Sequence, residues 1–275
     1  MGRLAVILGS NALGPGGEEI AAAAAAQGAA IVQRHAADGS FALPHMIDHE
    51  ANLRPLLEQG CDRVLGIGSV GSLRAELAVG SLVCPDDFIA LNLGDSIFGD
   101  ERAHSAPGFA PGWREQVIAA WSDGGQEPRD GGVYWQARGP RFETPAEIRL
   151  IAAHADVVGM TIASECVTAG ELGLDYAALC VVDNLANGLA EEPVSTAGME
   201  ADRRANAKRL REGLAAVLPR LGAVGRRSRG SFVLICPTKE TRDDVGGDGC
   251  ALGRRAGWSS VRGRGDRCAW SRRCR

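Results

Sequence analysis

No stretch of this chain is apolar for anything near the roughly 20 residues that a membrane-spanning helix needs. The longest bland stretch, Ala21 to Ala26, is both short and weakly apolar. The N-terminus has Arg3 followed by an apolar run, as a secretion signal does. That run stops after Leu4 to Leu8, short of the roughly 7 residues of a signal's apolar region. It reads as a first β-strand, and the expectation is a cytoplasmic protein without membrane contact. Spacing is also missing from the cysteines. Cys236, Cys250, Cys268 and Cys274 fall in the last 40 residues without a CxxC pair and with no His nearby, so a zinc site there has little support. Cys61, Cys84, Cys166 and Cys180 sit singly in apolar segments, as reduced buried thiols do.

The chain has 275 residues and an apolar share of 45%, enough for one large domain or two small ones. Its charge is uneven. Residues 1–224 carry 17 Lys and Arg against 29 Asp and Glu, a net of −12, whereas residues 225–275 carry 13 against 5, a net of +8. An acidic body excludes a nucleic-acid groove on the main domain.

Five short apolar runs rich in β-branched residues predict strands at Leu4–Leu8, Arg63–Ile67, Ser81–Ala90, Val133–Gln136 and Tyr176–Asp183. Helices are predicted over Glu18–Gln27 and over Asn52–Gln59, which stops at Gly60. Another begins at Thr144-Pro145-Ala146-Glu147, with Thr as N-cap and Pro at the first position. A last one spans Ala201 to Leu218, with Ala205, Leu210, Leu214 and Val217 on its apolar side. Alternation of this kind predicts a single α/β domain with a central, mostly parallel or mixed twisted sheet flanked by helices.

Three strand ends carry small or polar residues: Gly9-Ser10-Asn11, Gly66 to Ser72, and Asp183 to Gly188. Ligands of open α/β sheets bind beyond the carboxyl ends of strands, and Gly and Ser there let backbone N–H groups approach an anion. Taken singly, each is as readily an ordinary turn. Gln33-Arg34-His35 adds a guanidinium, whose planar fork suits phosphate.

Longer motifs narrow this. Arg138-Gly-Pro-Arg-Phe-Glu-Thr-Pro-Ala-Glu-Ile-Arg149 followed by Val158-Gly-Met-Thr161 resembles the paired motif of the trimeric purine nucleoside phosphorylase and methylthioadenosine phosphorylase family. Val70-Gly-Ser-Leu-Arg74 with Gly80 to Phe88 resembles its phosphate loop and following strand, and Asp183-Asn-Leu-Ala-Asn-Gly188 its base-binding loop. The motifs stand in family order between residue 4 and about residue 221. The resemblance implies the nucleoside phosphorylase fold and phosphorolysis of a purine nucleoside, with inorganic phosphate as co-substrate and no cofactor or metal. It implies phosphate binding by Ser10, Arg34, His35, the backbone N–H of Ser69, and Thr161. Met160 matches a residue packed on the ribose, and His49 stands where many relatives carry an aromatic near the ribose. Phe142 and Glu143 match the aromatic and acid beside the purine, and Asn184 the partner of purine N7. His104 lies where the family lends a residue to a neighbouring subunit's 5′ pocket, which with the resemblance implies a homotrimer.

The pair Glu143 and Asn184 favours a 6-oxopurine: a carboxylate accepts from N1–H of hypoxanthine or guanine, which adenine lacks. Methylthioadenosine phosphorylase fits residues 138–149 and 157–161 equally well, and a non-catalytic purine-binding protein is a more remote alternative. The sequence departs from the family at Asn11 and at Ile162-Ala163-Ser164.

Residues 1–222 thus make the phosphorylase-like domain and 223–275 a basic tail. A disordered arm for an acidic partner, a small metal-stabilised module and a stretch without function all compete for the tail. Its Arg, Gly, Trp, Cys and Ser enrichment, which starts just after the last helix, is that of an out-of-frame reading of GC-rich DNA. Truncation after Gly222 is therefore expected to leave turnover and oligomer size intact, as activity assays and light scattering would read.

Overall fold

The computed structural model of the chain describes residues 2–9, 17–37, 40–91, 96–189 and 196–223. The 224–275 part of the tail and Ser10 lie outside the described residues.

The strands, in chain order, are β1 (Arg3–Leu8), β2 (Ala30–Gln33), β3 (Ala36–Ala37), β4 (Ser40–Phe41), β5 (Cys61–Ser72), β6 (Leu82–Cys84), β7 (Asp87–Ile89), β8 (Arg129–Asp130), β9 (Val133–Gln136), β10 (Val157–Gly159) and β11 (Asp175–Leu185). The helices are α1 (Gly17–Ala26), α2 (His49–Glu58), α3 (Pro111–Asp123), α4 (Pro145–Ile151), α5 (Ile162–Glu171) and α6 (Thr196–Ala223). The main sheet is mixed. β5 is its spine, parallel to β11 along one edge and parallel to β1 along the first half of the other. β10 continues that second edge in antiparallel sense, beginning opposite Gly71.

Alternation along buried strands sends neighbouring side chains to opposite layers. Leu4, Val6 and Leu8 of β1 join Leu65 and Ile67 of β5 against Trp113, Trp121, Leu214 and Val217 of α3 and α6. Ala5 and Ile7 face the other way, with Val64, Tyr176, Leu53 of α2, and Ile162 and Cys166 of α5. A smaller cluster under α4 holds Ile148, Ile151 and Val158. The expected α/β domain is thus present, with helices on both faces of the sheet. The capping box at Thr144 is also present: its side chain accepts from Glu147 N, and Glu147 accepts from Thr144 N. Cys61, Cys84, Cys166 and Cys180 are buried free thiols.

Several boundaries differ from expectation. The run Ser81–Ala90 is two strands, β6 and β7, because Pro85 and Asp86 divide it. Gly66 to Ser72 continues β5 instead of forming a loop, since β11 pairs with it as far as Ser72. α6 passes through Pro219 to Ala223. Ala205 of α6 is exposed, and the buried side of the helix is Ala207, Leu210, Leu214, Val217, Leu218 and Leu221. No described helix is long and apolar enough to cross a membrane.

Gly213 sets how closely α6 approaches α3. A Cβ there would lie 2.3 Å from Cζ3 of Trp121, a side chain with no exposed surface. Alanine would gain about 1 kcal/mol in helix propensity. Overpacking a rigid core typically loses about 1–3 kcal/mol. The ring has nowhere to move, so Gly213→Ala is expected to lower the urea midpoint of unfolding despite its better propensity.

Candidate active site

On one edge of β5, β1 ends with Leu8 opposite Ile67, and the antiparallel β10 pairs Val158 with Gly71 and Val157 with Ser72. The segment between has no strand beside it. Gly9 N donates to Ile67 O at 3.2 Å, so the Ile67 carbonyl faces this edge, and strand alternation turns the N–H of Ser69 the same way. A cavity opens here. Gly9, Arg34, His35, Ser69, Phe142, Glu143, Met160, Thr161, Asn184, Ala186 and Asn187 are among the residues that line it.

Arg34, just after β2, is 1% exposed. Its Nε donates to Glu165 Oε2 at 2.6 Å, its Nη2 to Glu165 Oε1 at 2.9 Å, and its Nη1 to Ile67 O at 2.8 Å. Burial works to lower the Arg34 pKa, but the charge and hydrogen bonds of Glu165 outweigh it and keep the guanidinium charged. Burial also works to raise the Glu165 pKa, and Arg34 outweighs that too, holding the carboxyl below its ordinary value. Tyr176 Oη donates to Glu165 Oε1 at 2.5 Å.

His35 stacks on Phe41, with ring centroids 4.8 Å apart, and its Nδ1 lies 2.8 Å from Ala42 O. A carbonyl only accepts, so Nδ1 carries the proton and the neutral ring offers an Nε2 lone pair. Burial, helped by the charge of Arg34, pushes the His35 pKa down even though the Ala42 bond opposes it.

Thr161 is the N-cap of α5, yet its side chain makes no capping bond. Strand β9 does that work. Tyr134 Oη accepts from Thr161 N at 3.2 Å and Ile162 N at 3.3 Å. Gln136 Oε1 accepts from Ala163 N at 2.7 Å and Ser164 N at 3.1 Å. The first N–H groups of α5 are therefore satisfied internally, and what Thr161 offers the cavity is its hydroxyl.

Near Asn184, β11 has an extra residue. Val182 pairs with Val70 and Asn184 with Gly71, leaving Asp183 as the bulge. Asp183 turns inward, where it accepts from Ser69 Oγ and, at 2.9 Å, from Asn206 Nδ2 of α6. Asn184 faces the cavity with its Nδ2 donating to Leu185 O at 2.7 Å. Glu143 is partly buried, and its backbone carbonyl accepts from Asn187 Nδ2 at 3.0 Å. Burial raises the Glu143 carboxyl above its ordinary value.

The structure thus brings together Arg34, His35, Ser69, Phe142, Glu143, Met160, Thr161 and Asn184 around one cavity. His49 and His104 are not among its lining residues. His49 begins α2, close enough to Glu165, Arg34 and His35 to feel their charges; burial pushes its pKa down to about 4, and its Nδ1 has no partner. His104 is exposed, with Nδ1 3.3 Å from Glu101 O. Sequence reasoning missed Glu165, Tyr176, Tyr134, Gln136 and Asp183, all of which act through another residue at the cavity. Among the described residues no group of three or more His, Cys, Asp or Glu side chains could hold a metal ion.

A model of the phosphorylase superfamily matches residues 19–219. The chain belongs to that superfamily. Within it, the chain is 43% identical to a probable 6-oxopurine nucleoside phosphorylase of Archaeoglobus fulgidus, over 60% of this chain and 68% of that one. It is 32% identical to an S-methyl-5'-thioadenosine phosphorylase of Pyrococcus abyssi, over 70% and 76%. A probable S-methyl-5'-thioinosine phosphorylase of Methanothermobacter thermautotrophicus is 37% identical over 58% and 57%. The fold matches that of methylthioadenosine phosphorylase from Schistosoma mansoni in complex with adenine, with a TM-score of 0.69 at 20% identity, covering 82% of this chain and 93% of that one. The motif resemblance to purine nucleoside and methylthioadenosine phosphorylases is therefore borne out at the level of the family.

Tyr134→Phe would leave the amides of Thr161 and Ile162 without their acceptor. Buried donors left unpaired lose about 1–3 kcal/mol. The variant is expected to unfold at lower urea with an unchanged denaturant slope.

Proposed function

We propose that this chain catalyses phosphorolysis of a purine nucleoside, releasing the free purine and a ribose 1-phosphate, with preference for a 6-oxopurine. The observation that carries the reading is that one cavity is lined both by Arg34, Ser69 and Thr161, which suit an anion, and by Phe142, Glu143 and Asn184. Phosphate would lie against Arg34, the N–H of Ser69, the hydroxyl of Thr161 and His35, and the motif resemblance adds Ser10 to these. It attacks the anomeric carbon as the glycosidic bond loosens, so no covalent enzyme nucleophile is required. The protein's share is to hold the anion in line and to stabilise the negative charge that gathers on the departing base.

Asn184 suits the second task. One amide N–H is committed to Leu185 O, which fixes the plane of the group and leaves another N–H and Oδ1 for the purine. Glu143 supplies an acceptor for the N1–H of hypoxanthine or guanine. Met160 packs on the ribose. Inorganic phosphate is the co-substrate and no cofactor enters. The chain is read as a cytoplasmic homotrimer, with the exposed His104 reaching a neighbouring subunit's 5′ pocket, and with residues 223–275 outside the working domain. A second reading, methylthioadenosine phosphorylase, is supported by the Pyrococcus abyssi relative, of which the chain spans 76%.

Phosphate-dependent turnover of inosine, guanosine, adenosine, methylthioadenosine and methylthioinosine separates these readings. Inosine, guanosine or methylthioinosine is expected to lead. Robust turnover of methylthioadenosine with none of those three would overturn the 6-oxopurine preference, and base binding without any ribose 1-phosphate would point to a non-catalytic purine-binding protein. On the best substrate, Asn184→Ala is expected to lower kcat about a hundredfold, the usual weight of one donor aimed at developing charge.

A further inference from the structure

We propose that Glu165 is a positioning residue for the phosphate nucleophile: it grips Arg34 from behind and presents one edge of the guanidinium to the cavity. The inference rests on the phosphorolysis reading and deepens it.

A guanidinium has five N–H donors. Three of those on Arg34 are engaged by the protein: Nε–H and one Nη2–H by the Glu165 carboxylate, and one Nη1–H by Ile67 O. Among the described residues, one N–H on each Nη is left without an acceptor. Arg34 lines the cavity, so these two donors are the ones it offers to the oxygens of a phosphate.

Burying such a pair is poor strategy for stability alone, because desolvation of both charges offsets most of their attraction. The surroundings are nevertheless shaped to keep it. Gly66 lies on β5 directly over the pair: a Cβ there would stand 2.0 Å from Tyr176 Oη and 2.6 Å from Glu165 Oε1. Gly9 leaves similar room, since its Cβ would lie 3.0 Å from Arg34 Nη1. Tyr176 Oη adds its bond to the same carboxylate oxygen that receives Nη2. Glu165 sits one turn beyond Thr161, its backbone N donating to Thr161 O at 3.1 Å. One short stretch of chain thereby fixes both the Thr161 hydroxyl and the direction of Arg34.

The two effects of Glu165 on a bound anion have opposite signs. Its negative charge repels phosphate, while its grip aims the donors. Glu165→Gln keeps the shape and removes the charge. If charge ruled, the variant would bind phosphate more tightly. If positioning rules, phosphate KM rises about ten- to hundredfold, the weight of a lost charge-assisted hydrogen bond, and nucleoside KM stays within about twofold of the parent. Steady-state kinetics with each substrate varied in turn would read this.

A fall or no change in phosphate KM, or an equal rise in both KM values, overturns the proposal and leaves phosphorolysis standing. If the parent protein turns over no nucleoside with phosphate, the functional reading fails first and carries this proposal down with it. Should Glu165→Gln not fold, Tyr176→Phe carries the same readout at smaller amplitude. A selective rise in phosphate KM supports the role, and an unchanged phosphate KM or a uniform rise overturns it.

Discussion

Strand β5 is paired along both edges, but on one edge its partners do not meet. β1 stops opposite Ile67, and β10, running in the reverse direction, pairs only with Ser72 and Gly71. A sheet interrupted in this way must satisfy its exposed polar backbone by other means. Part of the answer is internal: Arg34 Nη1 and Gly9 N both reach the Ile67 carbonyl. The remainder of the edge faces the cavity. The features of the site follow from that interruption, because it lets residues from β5, β10, β11 and the turn after β2 converge without crossing a continuous sheet. Helices on both faces hold the gap open by packing the strands that border it.

The helix terminus at the cavity also differs from the simplest expectation for an α/β protein. A helix N-terminus is a ready site for negative charge. Here the first N–H groups of α5 are taken by Tyr134 and Gln136. Under the proposed function, attraction for phosphate falls to side chains and to the bare edge of β5. Gly159 makes this arrangement feasible, since a Cβ there would lie 2.4 Å from the Tyr134 hydroxyl.

Much of this was legible in the residues. The α/β alternation, the capping box at Thr144 and the convergence of Arg34, Glu143, Met160, Thr161 and Asn184 were all readable, because strand runs, cap chemistry and ordered motifs are local signals. Less local features were not. α3 stands behind a Pro- and Gly-rich approach that reads as loop, and only its Trp113, Val117 and Trp121 stripe betrays it. α5 and β10 are short and made of small and β-branched residues that suit either state. Glu165 gives no local signal, since its partner Arg34 lies 131 residues away in sequence. His49 shows the reverse problem: a sequence position suggested a ribose contact, whereas its ring starts α2 near the buried Arg34 and Glu165.

The extra residue in β11 has a consequence for how this loop can change over evolutionary time. Side chains along a strand alternate with a period of two, so a shift of one residue exchanges the faces. With Asp183 bulged, the strand keeps Val182 opposite Val70 and still delivers Asn184 opposite Gly71. Deletion of Asp183 would leave Val182 opposite Val70 and Asn184 opposite Gly71 in an unbroken ladder. What it would remove is the carboxylate that accepts from Ser69 Oγ and Asn206 Nδ2. The bulge therefore serves the inward turn of Asp183, and a strand one residue shorter keeps the pairing but loses that tie to α6.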